Sequence, residues 1–91
     1  MRRPSFVYVL RSASQPERWY TGLTANVWAR LAAHNRGDSR HTCTGRPWRL
    51  VVSMEFASAD AAKAFEAYLK SGSGRAFARR HFRADITRAS E

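Results

Sequence analysis

"VYVLRSASQPERWYTGLT", residues 7–24, decides how this chain folds. Two short apolar and aromatic runs flank a polar stretch that contains Pro16. In the first run, residues 5–11, Phe6, Val7, Tyr8, Val9 and Leu10 are apolar or aromatic without a break. A strand of that kind is covered on both faces, so it belongs at the centre of a sheet. "SASQPER" is turn chemistry, because proline cannot extend a central strand. Residues 19–23 read as a second strand, and 5–23 together as a β-hairpin with a long loop. With the loop centred near Ser14, Tyr8 and Tyr20 face each other across the hairpin, on the same side of the sheet.

Downstream of the hairpin the apolar period changes. In "TANVWARLAAHNRGD", Val27 and Leu31, flanked by Trp28 and Ala32, share one helical face. Thr24 or Asn26 can cap that helix, and Gly37 ends it. Residues 38–49 read as a polar, basic loop. "LVVSMEF", residues 50–56, alternates as a third strand, with Leu50, Val52, Met54 and Phe56 on one face. Ser58 caps a second helix, and Asp60 sits in its first turn, where the helix dipole favours a carboxylate. Ala61, Ala62, Phe65, Tyr68 and Leu69 form its apolar stripe. "SGSG" at 71–74 breaks it, and "RAFARRHF" is a short third helix anchored by Phe77 and Phe82. From Ala84 the chain reads as frayed. The order is β-β-α-β-α-α, expected as one domain over residues 1–91 with its core at about 5–82.

Composition narrows the function. Sixteen basic residues against seven acidic ones give a net charge of +9. Fourteen of the sixteen are arginine, whose planar fork matches phosphate oxygens. Such a domain is expected to bind a polyanion, with nucleic acid the default and DNA ahead of RNA. No stretch has the roughly 18 apolar residues of a membrane span, and "MRRPSFVYVL" is too short and polar for a secretory signal. A cytoplasmic protein with no membrane contact is the expectation. The single cysteine, Cys43, cannot form an internal disulfide, and with three scattered histidines it makes no zinc spacing. It reads as a free thiol.

The acidic residues can be taken one by one. Glu17, Asp38, Asp85 and Glu91 lie in turns or near the end, Asp60 serves a helix N-terminus, and Glu55 lies on the less apolar face of the third strand. Glu66 differs. It stands mid-helix at the border of the apolar stripe, as a surface residue paired with Lys70 at i+4 or as a functional carboxylate. Arg30 and His34, four apart on the first helix, share a face. Two phenols, an arginine, a histidine and one helical carboxylate on a basic domain make a workable set for phosphodiester hydrolysis. That reaction needs a base for water, charge on the phosphorane and a cation at the leaving oxygen. One carboxylate can hold one hydrated Mg²⁺.

With these motifs assembled, the chain resembles the GIY-YIG nuclease family. "FVY" (6–8) stands at the first motif and "YTG" (20–22) at the second, while "NVWARLAAHNRG", "RPWRLVVSMEF", "AFEAYLK" and "LKSGSGRAFARRHF" look like the family's later elements in order. The resemblance covers residues 5 to about 82 and points to small stand-alone bacterial members. It implies a small α/β sandwich (α+β), with a three-stranded antiparallel sheet flanked by helices. It also implies a metal-dependent endonuclease that cuts one strand of DNA with one divalent ion, Mg²⁺ or Mn²⁺. Tyr8 matches the tyrosine that is, or assists, the general base. Tyr20 matches the one that orders water or phosphate, Arg30 the arginine on the phosphate, and His34 a histidine of some members. Glu66 matches the metal ligand, and Gly22 a glycine that lets the backbone pack closely. Phe6, Val7 and Thr21 replace the usual glycine, isoleucine and isoleucine, leaving both tyrosines in place. Arg40, Arg46, Lys70, Arg75, Arg79 and Arg80 are the expected nucleic-acid contacts. Many family nucleases carry a separate DNA-binding domain, and none is read here. That implies structure-directed binding, as in repair, or a protein partner that supplies targeting. The alternative is a non-catalytic nucleic-acid-binding module on the same fold.

Overall fold

A computed structural model describes residues 3–82. The stretch from Ala84, with Asp85 and Glu91, lies outside the described residues. Three strands, β1 (Ser5–Ser12), β2 (Trp19–Thr24) and β3 (Trp48–Phe56), form one antiparallel sheet in the order β2-β1-β3. The apolar run that opens the chain therefore takes the middle position, as its two-sided character requires. Helix α1 (Val27–Arg36) covers one face of the sheet, and α2 (Ala59–Leu69) and α3 (Gly72–His81) cover the other. This is the α+β sandwich that the order β-β-α-β-α-α implies.

Each face has its own core, set by alternation along β1. Val7 and Val9 pack with Ala62, Leu69, Phe65 and Phe77 beneath α2 and α3. Tyr8 and Leu10 pack with Val27, Leu31, Trp48 and Tyr20 beneath α1. In β3 the expected single apolar face is corrected by a β-bulge. Val9 pairs with Val52, but Leu10 pairs with Leu50, which leaves Val51 as the extra residue. Leu50 consequently joins the α1 face, while Val52, Met54 and Phe56 join the other. One inserted residue reverses the facing of all that follows.

Helix boundaries follow their caps. Asn26, rather than Thr24, caps α1 by accepting a hydrogen bond from the Ala29 amide at 3.1 Å. Gly37 closes it at φ 87°, a left-handed conformation that suits glycine. The buried positions of α1 are Val27 and His34, with Leu31 half-buried between them. Trp28 is 69% exposed and Ala32 is exposed, contrary to the expected stripe. At about 100° per residue, each lies one step past the 27/31/34 line. On α2 the same step leaves Ala61 and Tyr68 exposed, while Ala62, Phe65 and Leu69 pack inward.

The "SGSG" stretch does end α2, but the third helix begins within it, at Gly72 and not at Arg75. Ser71 caps that helix by accepting from the Gly74 amide at 3.1 Å. Gly74 is buried against the Tyr68 carbonyl, where any Cβ would collide with backbone. Two glycines that weaken helix propensity are tolerated because one of them lets α3 turn tightly off the end of α2.

Candidate active site

The hairpin register positions the site. Tyr8 pairs with Gly22 and Leu10 with Tyr20. The hairpin is therefore centred one residue later than expected, and Tyr8 and Tyr20 are diagonal neighbours, not directly opposite partners. The tighter closure comes from Ser12, whose amide donates to the Arg18 carbonyl at 3.0 Å, leaving residues 13–17 as the loop. A shift of two positions keeps both phenols on the α1 face, and their ring centroids lie 6.2 Å apart.

Gly22 owes its identity to this register. The Tyr8 ring crosses directly over it, and a Cβ built there would lie 2.5 Å from Cζ and 2.7 Å from Cε1 of Tyr8. Tyr8 is held by a buried network and cannot step aside. Gly22→Ala is therefore expected to cost about 1–3 kcal/mol through overpacking. A thermal melt should show a fall of about 5 °C or more in a domain of this size. An unchanged melting temperature would show that the ring moves freely.

His34 is the centre of the network. It is 1% exposed, whereas Arg30, one turn earlier on the same face of α1, is exposed. Its Nε2 lies 2.8 Å from the Tyr8 hydroxyl, and its Nδ1 lies 2.7 Å from Thr42 Oγ1. The Tyr20 ring meets the imidazole edge-on, with centroids 4.9 Å apart. Burial lowers the His34 pKa below its ordinary value, and the nearby Arg30 charge lowers it further. The imidazole is therefore neutral at pH 7. Burial pushes the Tyr8 phenol up to about 12, against the pull of Arg30 and with a further push from Tyr20. In the tautomer protonated on Nδ1, Tyr8 O–H donates to Nε2 and Nδ1–H donates to Thr42 Oγ1.

Thr42 was not singled out by the sequence, and no spacing marks it. It is buried in the 38–49 loop, which the structure shows to be built rather than slack. A short 3₁₀ turn, Cys43–Gly45, follows it. The Thr42 carbonyl accepts from Trp48 Nε1 at 2.7 Å. Asn35 clasps the Trp48 backbone twice, accepting from its amide at 2.6 Å and donating to its carbonyl at 3.1 Å. The loop thus holds the hydroxyl that orients His34. Arg46 also secures it, donating to the Cys43 carbonyl at 2.7 Å and to the Arg36 carbonyl at 3.3 Å. Its guanidinium is engaged with backbone, unlike the exposed Arg40. Cys43 is a half-buried free thiol.

Glu66 stands outside this cluster. It lies on α2, in the layer across the sheet, with 22% side-chain exposure and its carboxylate 2.8 Å from Lys70 Nζ. Lys70 and Tyr20 line one cleft beside the edge strand β2, together with Arg75 and Arg79. Arg80 is exposed on α3. Among the described residues no three His, Cys, Asp or Glu side chains gather into a metal cage. A single, partly exposed carboxylate instead suits a cation such as Mg²⁺ that keeps most of its waters.

Comparisons with known proteins identify the family. The family model described as the GIY-YIG catalytic domain matches residues 4–80. Structure-specific endonuclease subunit SLX1 of Chaetomium globosum is 41% identical over 66 residues, 66% of this chain but only 20% of that protein. UPF0213 proteins of Natronomonas pharaonis and Staphylococcus haemolyticus are 40% and 38% identical, over 78% and 72% of this chain and 82% and 79% of their own lengths. The solution structure of a UPF0213 protein from Bacillus halodurans is 32% identical over 74% of this chain and 70% of its own, with a TM-score of 0.45. With nearly all of its described length matched, and with close relatives of its own size, this chain belongs to the GIY-YIG family.

Proposed function

We propose that the protein is a metal-dependent endonuclease that hydrolyses a phosphodiester bond in DNA. The observation that carries this reading is the chain Tyr8–His34–Thr42 with Arg30 on the phenol. A solvated or merely packed tyrosine needs no buried neutral imidazole behind it. Here the imidazole is held by a threonine in the orientation that leaves Nε2 free to accept.

The protein's own residues divide the work as follows. Tyr20, half-buried, and Arg30, exposed, stand on the solvent side of Tyr8 and hold water and phosphate. As the water oxygen bonds to phosphorus, its proton passes to the Tyr8 oxygen, and the Tyr8 proton passes to His34 Nε2. The P–O bond then breaks with its electron pair on the leaving oxygen, which takes a proton from solvent, while Arg30 balances the charge of the phosphorane and His34 returns its proton to solvent through Tyr8. The phenol thus never needs to exist as a free phenolate, which its raised pKa would oppose. Glu66 would hold the divalent ion, which supplies positive charge at the leaving oxygen.

SLX1 is named as structure-specific, and the chain covers a fifth of it. Branched and flapped DNA are accordingly the substrates of choice. The test is nicking over a panel of linear, flapped and branched DNA with Mg²⁺ or Mn²⁺. Cleavage of at least one member, absent in chelator, is expected. Affinity should fall steeply as salt rises, because each neutralised phosphate releases counterions. The Glu66–Lys70 pair favours a second reading, a binding module without turnover. Tight, salt-sensitive binding with no nicking of any substrate would establish that one instead.

A further inference from the structure

A cleft of about 540 Å³ lies on the α3 side of β2 and is not needed for the proton path described above. Lys70, Arg75 and Arg79 supply cations to its wall, Trp19 supplies an aromatic ring, Tyr20 borders it from the edge strand, and Glu17 is the one acid among its lining residues. Arg75 and Arg79 are four apart on α3 and so extend from one helical face. A further cation, Arg11, lies over the Trp19 ring, 5.4 Å from its centroid. Tyr20 also lines this cleft, although its ring packs on the other face of the sheet against His34, so the cleft and the proposed catalytic centre meet at the edge strand β2.

We infer that this cleft holds single-stranded DNA, the unpaired segment that adjoins the scissile phosphate. The inference rests on the nuclease reading for its direction but on the cleft for its chemistry. Cations that track a backbone, alternating with aromatic rings, are the general means of holding an unpaired strand. The size agrees. Its volume lies in the range of pockets that enclose one small molecule. It therefore admits a nucleotide or two of one strand. A substrate with an unpaired arm next to the cut satisfies both halves of the site at once, which explains how a domain of this size selects branched DNA.

The test uses the full chain without metal, so that binding is read apart from cleavage. A fluorescent 12-nucleotide oligo(dT) and a blunt hairpin duplex are compared by anisotropy at low salt. The oligo(dT) is expected to bind about tenfold more tightly or better. The double variant Arg75→Ala/Arg79→Ala, at two exposed positions, should weaken oligo(dT) at least tenfold and the duplex less than threefold. For oligo(dT), the slope of log K against log salt should fall by about 1.4, since each lost single-strand phosphate contact removes about 0.7. Trp19→Leu should weaken oligo(dT) about fivefold or more with the salt slope unchanged, because stacking carries no counterion term. Equal losses for both ligands would mean a general basic surface and overturn the inference, as would no loss for either. Parent protein that nicks while its double variant binds oligo(dT) normally would refute the cleft and spare the nuclease. Selective binding of oligo(dT) without nicking would do the reverse.

Discussion

Tyr8→Phe is expected to lower nicking about a thousandfold while leaving the protein folded. General acid–base participation contributes about 10²- to 10⁴-fold, and about a thousandfold corresponds to roughly 4 kcal/mol of the barrier. On the proposed path the substitution removes the oxygen that would receive the water proton and pass its own to His34 Nε2, 2.8 Å away. The buried imidazole nitrogen then lacks its donor, a cost of about 1–3 kcal/mol. A pH series separates catalytic from structural loss. The folded-state pKa of Tyr8, about 12, lies above the ordinary phenol value. The stability this represents is fully present below pH ~10 and is lost as pH rises toward 12, up to about 3 kcal/mol. The parent should therefore lose melting temperature above pH 10 more steeply than Tyr8→Phe. The lowered pKa of His34 has the opposite sense: its stability is complete above about pH 6.5 and is lost as pH falls through the lowered value. That acid-side loss should persist in the variant, since burial is its main cause. Undiminished nicking by a folded Tyr8→Phe would remove Tyr8 from the reaction.

The sheet was legible because β1 is apolar on both faces, and that pattern has only one comfortable position, the centre. Its flanking strands and three helices followed from turn chemistry and caps at Asn26, Ser58 and Gly37. What escaped the sequence was geometry fixed by non-local pairing. The two-position difference in hairpin register depends on where Ser12 meets Arg18, and Pro16 alone does not place it. The bulge at Val51 depends on how β3 docks on β1, and alternation within "LVVSMEF" conceals it because Val51 and Val52 are both apolar. "SGSG" misled for a different reason. Its glycines signal a break by propensity, yet a close approach to the Tyr68 carbonyl demands one of them inside a helix.

For the site, residue types were readable and connectivity was not. Tyr8, Tyr20 and His34 meet on the α1 face, with His34 buried at their centre, which the spacing of Arg30 and His34 did not reveal. Thr42 is invisible to any periodicity argument. Its role exists only because Asn35 and Trp48 fold the 38–49 loop back over α1. The backbone bonds of the exposed Arg46 to the Cys43 and Arg36 carbonyls are likewise a product of the loop's fold that its charge did not reveal.

Glu66→Gln addresses the one member of the set that stands apart. Nicking is expected to fall about a hundredfold or more, roughly 2.7 kcal/mol of transition-state stabilisation. The amide keeps the volume and the reach but no longer offers an anion. At 22% side-chain exposure Glu66 is not a core group, and its pair with the exposed Lys70 is worth about 0.3–0.5 kcal/mol, so the fold should survive with a melting temperature near that of the parent. Breaking that pair also frees Lys70 in the cleft it shares with Tyr20. DNA affinity without metal should therefore hold or rise, because the Lys70 charge in the cleft is no longer neutralised by its neighbour. The two effects move in opposite directions, which no general destabilisation can produce. A titration with Mn²⁺, read by paramagnetic broadening of amide signals along α2, gives a third readout independent of turnover. Broadening centred on Glu66 in the parent should vanish in the variant. Full nicking by Glu66→Gln, or broadening that persists unchanged, would place the metal elsewhere and leave Glu66 as the surface partner of Lys70.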